Sequence, residues 1–184
     1  MYKHKIVAVV GMCGSGKTVA VDIFEKQGWH KIYFGAATLR KMKELNLEIN
    51  EENEIRVREM LRESGDKGVY AKLYLKELDA AIKKGNVVIE DLYSWSDYKI
   101  VKEHFGDAFE VLCIATDGAV RRERLKIRAF RPMGEEECRK RDYIEIEKCE
   151  RGGLIGIADH YFLNNSSVSA LKQNVLKYIN KIQK

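Results

Sequence analysis

The chain has 184 residues, 45 % of them apolar, and its 33 Lys and Arg against 28 Asp and Glu leave a formal net charge of +5. That length suits one domain able to hide roughly 70 % of its unfolded surface, and charges dispersed among apolar periodic segments exclude wholesale disorder. No apolar run nears the ~20 residues a membrane helix requires, and Cys13, Cys113, Cys138 and Cys149 form neither a C-x-x-C pair nor a zinc spacing, so a cytoplasmic chain with reduced thiols and no membrane partner is expected.

The first apolar run, residues 6–10, is continuous rather than alternating, which predicts a strand covered on both faces. It feeds directly into Gly11-Met12-Cys13-Gly14-Ser15-Gly16-Lys17-Thr18, a full match to G-x-x-x-x-G-K-[ST], and helical periodicity follows over residues 18–27. The chemistry explains the spacing. Glycines let successive backbone N–H groups turn into one concavity, and a helix N-terminus adds partial positive charge there. Lys17 would meet the β- and γ-phosphates of ATP, and Thr18 would offer its hydroxyl to Mg²⁺. Cys13 is expected to be a small filler within the loop.

Further strands are predicted at 32–34, 87–89, 111–115 and 161–163, with helical patterns at 69–84 and 171–182. Strands alternating with helices predict a doubly wound α/β fold, three layers around a five-stranded parallel sheet. Residues 35–86 and 116–158 are too long for simple crossovers. Both are charged and helical in pattern, which suits an acceptor-covering insertion and a lid within a single domain, 1–184. The third strand closes on Glu90 and Asp91, where a phosphate-transfer site needs an anion for Mg²⁺; Glu90, continuing the strand, is the better candidate. Arg121, Arg124 and Arg128, at spacings of three and four, are expected on one helix face, where planar guanidinium forks would neutralise a transferring phosphoryl group. No D-x-x-G occurs anywhere, and Asn180-Lys181-Ile182-Gln183 lacks the closing Asp of a guanine box, which weighs against a regulatory GTPase.

With these pieces in place the sequence resembles the nucleoside-monophosphate kinase group of P-loop proteins, in particular small dephospho-CoA-kinase-like and adenylate-kinase-like nucleotide kinases. The resemblance spans nearly the whole chain. It rests on the Gly11–Thr18 motif, on Phe34-Gly35-Ala36-Ala37-Thr38-Leu39-Arg40, on Ile89-Glu90-Asp91-Leu92-Tyr93, on the three lid arginines with Arg141-Asp142, and on Ala158-Asp159-His160-Tyr161-Phe162-Leu163-Asn164-Asn165-Ser166. It implies that Gly35, Arg40 and Tyr93 hold the acceptor, with Arg40 gripping its phosphate. It also implies that Arg141 joins Lys17 and the lid arginines in catalysis, and that Asn164 and Asn165 lie near the donor's adenine. Ala36 stands where the family has Asp, Asp91 where it has Gly, and Tyr93 where it has Arg.

The function expected on this basis is ATP-dependent phosphoryl transfer, with Mg²⁺, to a nucleotide or nucleotide-like acceptor, either a nucleoside monophosphate or dephospho-CoA. Cofactor contacts fall to Gly11, Met12, Cys13, Gly14, Ser15, Gly16, Lys17 and Thr18, and metal contacts to Thr18 and Glu90. The alternative is a nucleotide-binding regulator without transfer. Nucleic acid is not expected as a partner, because the basic residues cluster at the lid and no aromatic-rich RNA motif occurs.

Overall fold

The computed structural model describes residues 2–62 and 67–183. Five parallel strands form one sheet in the order β2-β3-β1-β4-β5: β1 (Ile6–Val10), β2 (His30–Tyr33), β3 (Val87–Glu90), β4 (Phe109–Ala115) and β5 (His160–Leu163). The register sets Ile6 opposite both Val87 and Phe109, so β1 lies at the centre with every residue buried. Alternate side chains go to opposite layers. Ile6, Ala8 and Val10 pack beneath α4 (Val69–Ile82) and α5 (Trp95–Phe105). Val7 and Val9 pack against α1 (Lys17–Lys26) and α9 (Val168–Ile182). This is the three-layer α/β arrangement with an all-parallel sheet that the alternation of strands and helices predicts.

Two helical excursions rise beyond the carboxyl ends of the strands. Between β2 and β3 run α2 (Ala36–Glu44), α3 (Glu51–Arg62) and then α4; between β4 and β5 run α6 (Gly118–Ile127), α7 (Glu135–Glu147) and α8 (Arg151–Gly156). Ser94 caps α5 by accepting the Asp97 N–H at 3.0 Å, and the buried Asp97 carboxylate in turn accepts the Ala71 N–H at 2.9 Å. That network fixes α4 against α5 and so orients the whole first excursion on the sheet.

The two excursions touch across the sheet's end. Arg131 Nη1 reaches Glu54 Oε1 at 2.8 Å, Lys148 Nζ reaches Glu59 Oε1 at 2.8 Å, and Lys67 Nζ reaches Glu150 Oε1 at 2.6 Å. The two exposed pairs, Lys148–Glu59 and Lys67–Glu150, contribute only about 0–1 kcal/mol each, while Arg131–Glu54 is partly buried.

Element boundaries differ from sequence expectation in two instructive places. The second strand begins at His30 because it is an edge strand, where a polar start is tolerated. Helix α6 ends at Ile127, and Arg128 is extended (φ −66°, ψ 144°), so Arg128 does not share the helical face of Arg121 and Arg124. The reason is local: the Leu125 carbonyl accepts the N–H of Met133 at 3.0 Å as the chain doubles back before Pro132 completes the turn.

Candidate functional site

The loop between β1 and α1 forms the floor of a cavity of about 470 Å³. Lining it are Cys13, Gly14 and Gly16 through Val19 from the loop, Asp91 and Tyr93 from beyond β3, and Arg124, Arg128, Arg141, Glu145 and Arg151 from the second excursion. The loop is shaped by its glycines. Gly16 sits at φ +99°, and a Cβ there would lie 2.5 Å from Asn164 Nδ2, the group that braces the Ser15 carbonyl at 2.8 Å. Gly11, at φ +144°, would place a Cβ 2.5 Å from the Ile114 carbonyl oxygen. We expect Gly16→Ala to cost about 3 kcal/mol, from left-handed strain plus the displaced brace, read as a fall in melting temperature of roughly 6–12 °C. An unchanged melting curve would mean the loop has room that these contacts deny.

Among the described residues, the backbone N–H groups of Gly14, Gly16, Lys17 and Thr18 donate to no protein acceptor. The Cys13 N–H, by contrast, is occupied: it donates to Glu145 Oε2 at 2.9 Å. Glu145 is 3 % exposed, and it draws cations around itself: Arg141 Nε lies 3.5 Å from Oε1 and Arg151 Nε 3.9 Å from Oε2. Burial opposes its charge, but the fields of Arg151, Lys17 and Arg141, with the Cys13 amide, hold the carboxyl below its ordinary value near 4.5. A carboxylate thus sits against the Cys13 amide, amid the charges of one ammonium and two guanidinium groups.

Lys17 Nζ donates to the Met12 carbonyl at 3.2 Å, and burial and the Arg151 charge push its pKa down. Arg151 is 2 % exposed, donates to the Gly11 carbonyl at 3.2 Å, and lies over the Tyr93 ring with Cζ 5.3 Å from the centroid. Thr18 Oγ1 donates to Glu90 Oε1 at 3.0 Å, and Lys31 Nζ holds the other carboxylate oxygen at 2.8 Å. One hydroxyl and one carboxylate, both hard oxygen donors, suit Mg²⁺ as long as phosphates and water fill its remaining positions.

The sequence-predicted residues divide by where the fold takes them. Lys17, Thr18, Tyr93, Arg124, Arg128 and Arg141 share the cavity, with Glu90 one hydrogen bond behind Thr18. Arg121 faces the back of the loop: it clamps Asp142 with two bonds at 2.7 and 2.8 Å and donates to the Cys13 carbonyl at 3.1 Å. Arg124 donates to the Ser166 carbonyl at 3.2 Å, and Arg128 Nε donates to the Arg131 carbonyl. Asn164 ties the end of β5 to the loop by bracing the Ser15 carbonyl, while Asn165 Oδ1 accepts the Asp117 N–H at 2.9 Å and so ties the end of β5 to the turn after β4. Gly35 opens α2 against the Tyr33 ring, and the exposed Arg40 is held on Tyr74 by a 2.9 Å bond to its hydroxyl. Sequence analysis missed Glu145 and Arg151. The only pointer to them was Arg141-Asp142 immediately upstream.

No family model matches the chain. At 30 % identity over 181 residues it is similar to UPF0200 protein TK1334 of Thermococcus kodakarensis, covering 96 % of this chain and 97 % of that protein. A UPF0200 protein of Thermococcus gammatolerans is likewise 30 % identical, with 96 % and 95 % covered. Among solved structures, a putative kinase from Chloroflexus aurantiacus superposes with a TM-score of 0.62 at 13 % identity, covering 98 % of each chain. A shikimate kinase from Acinetobacter baumannii in complex with shikimate gives 0.60 at 18 %, with 98 % of this chain and 95 % of that one covered. A dephospho-CoA kinase from Campylobacter jejuni gives 0.56 at 16 %, with 97 % of each covered. The fold is that of the P-loop kinases. No helix among the described residues is long and apolar enough to cross a membrane.

Proposed function

The chain belongs to the UPF0200 family, and from the site its fold assembles we propose that it is a P-loop kinase transferring a phosphoryl group from ATP to a small-molecule acceptor. One observation carries this reading. The loop already grips an anion, Glu145, through the Cys13 amide, amid Lys17, Arg141 and Arg151. A carboxylate is a poor substitute for phosphate in charge and oxygen count, so a triphosphate would displace it.

In this reading the amides of residues 12–18 cradle the donor's phosphates and Lys17 spans the β- and γ-groups. Arg124, Arg128, Arg141 and Arg151 cover the transferring group from the lid side, where they stabilise charge on its equatorial oxygens and exclude water. Arg121 acts as a positioning residue, tying Asp142 and the lid to the loop's Cys13 carbonyl. Thr18 and Glu90 would hold Mg²⁺, which when bound neutralises charge shared by the β- and γ-phosphates. Asn165 and the 164–167 turn border the adenine. Residues 35–86 form the acceptor side, with Tyr93 as its floor; Arg40 would have to leave Tyr74 to reach it. Residues 116–158 form the lid.

The membership in the nucleoside-monophosphate kinase group and the identity of the acceptor are parts of the same proposal. ADP release measured with AMP, CMP, dTMP and dephospho-CoA tests it: one of these is expected to raise turnover at least tenfold over water alone. Glu145 in the anion seat also favours a second reading, a nucleotide sensor whose own carboxylate competes with the ligand. MgATP binding with no product from any acceptor would support that reading over transfer.

A further inference from the structure

We infer a second ligand site, apart from the nucleotide cavity, where α3 meets the end of α7. Its ligand is a small organic oxyanion, a carboxylate or phosphate carried on an apolar body. The sequence of α3 builds one wall. Ile55, Arg58, Glu59 and Arg62 recur at intervals of three and four, so they share one helix face. Ile144, Lys148 and Cys149 supply the other wall from the last turn of α7 and the residues just after it. The cavity between them measures about 360 Å³, at the small end of the roughly 300–1,000 Å³ usual for ligand sites. Among the described residues it shares no lining residue with the cavity over the loop.

The three cations of this cavity are not equivalent. Arg58 is answered by Glu54: its Nε donates to the Glu54 carbonyl at 2.9 Å, and its Nη2 lies 3.6 Å from Glu54 Oε2. Lys148 is answered by Glu59 at 2.8 Å. Arg62 Nη1 donates to the Lys148 carbonyl at 3.1 Å, and its Cζ lies 5.6 Å from the Tyr70 ring centroid. Its Nε and Nη2 are both buried, and among the described residues neither has a hydrogen-bond partner.

Those two atoms identify the ligand. The Nε–H and one Nη2–H of a guanidinium run parallel along one edge, and that edge grips two oxygens of a single carboxylate or phosphate. Buried donors are seldom left unanswered, because each has given up its bonds to water. Here an entire fork is left so, on a side chain that lines a cavity. A modest rotation about the Arg62 side-chain torsions turns the fork toward an occupant. An oxyanion then supplies the two acceptors and the negative charge, while Ile55, Ile144 and Cys149 give its apolar body a surface to cover.

An occupant also joins two parts of the fold. α3 belongs to the excursion between β2 and β3, and α7 to the one between β4 and β5, so a bound anion pins the second excursion against the first.

Calorimetry on the intact chain tests the site with four probes: benzoate, phenyl phosphate, inorganic phosphate and benzyl alcohol. Benzoate or phenyl phosphate is expected to bind with a Kd of about 1 mM or below, roughly tenfold tighter than either inorganic phosphate or benzyl alcohol. The better of the two identifies the head group. At a tenfold excess over its Kd, that probe should raise the melting temperature by roughly 3–6 °C. Arg62→Lys keeps the charge but lacks the fork, and should weaken binding about tenfold. Ile55→Trp fills the cavity and should abolish binding with Arg62 intact, so the result does not depend on one variant folding. Binding should persist in saturating MgATP and in Lys17→Met. No association of either aromatic anion with the wild type would overturn the proposal. So would benzyl alcohol binding as tightly, an affinity that neither substitution changes, or displacement by MgATP, which would place the anion at the loop instead.

Discussion

Replacing Lys17 with methionine is expected to lower phosphoryl transfer about 10²–10³-fold while leaving the fold intact, because a preorganised cation at a transferring group contributes on that scale. The stability half of this expectation comes from the structure. Lys17 makes a single hydrogen bond, to the Met12 carbonyl, and burial with the neighbouring Arg151 charge disfavours its ammonium form. Removing such a cation relieves as much as it takes away, so thermal melting should move by no more than about 1 kcal/mol equivalent. Melting curves and steady-state rates on the same preparation separate the two effects. A variant as active as wild type would strip Lys17 of its role, and a variant that fails to fold would make that role structural.

Glu145→Ala carries the second large effect, and its two halves point in opposite directions. Without ligand, the substitution takes from Arg151, Arg141 and Lys17 the carboxylate they share, leaving Asp91, 3.8 Å from Arg151, as a weaker counter-charge, and frees the Cys13 amide. Breaking a buried pairing of this kind costs about 3 kcal/mol. With MgATP the seat no longer has to be emptied, so binding should tighten at least tenfold, about 1.4 kcal/mol. Calorimetry with the variant and wild type decides the matter: weaker binding by Glu145→Ala would mean that the carboxylate holds the arginines for the nucleotide rather than competing with it.

Acid should reproduce part of this loss. The Glu145 pKa is lower in the folded chain than its ordinary value near 4.5, so the stability it supplies is full above that value and disappears as pH falls through the lowered one. Unfolding free energy of the wild type should therefore drop more steeply below about pH 4.5 than that of Glu145→Ala.

How much of this was readable beforehand follows from where each signal lies. β1 and the Gly11–Thr18 loop were legible because continuous apolar burial and the loop's steric demands both act over adjacent residues. Glu145 was not, because α7 is polar on all sides and carries no apolar stripe to say which face turns inward; its burial is imposed by α8 and the loop. Arg40 illustrates the converse. Sequence order places it after β2, but only the fold shows Tyr74 claiming its guanidinium at 2.9 Å. Spacing puts Arg128 on the same helix as Arg121 and Arg124, but the backbone leaves that helix at Ile127, which side-chain spacing alone does not reveal. Spacing identified the residues with phosphate chemistry, and long-range packing divided them into those facing the cavity and those bracing it.

The central claim is that the turn after β1 is built to hold a triphosphate, and a titration of MgATP into the intact protein tests it most directly. One molecule should bind per chain, with Lys17→Met weakening the association and Glu145→Ala strengthening it. No heat of binding from a folded wild-type protein, or association indifferent to both substitutions, would contradict it.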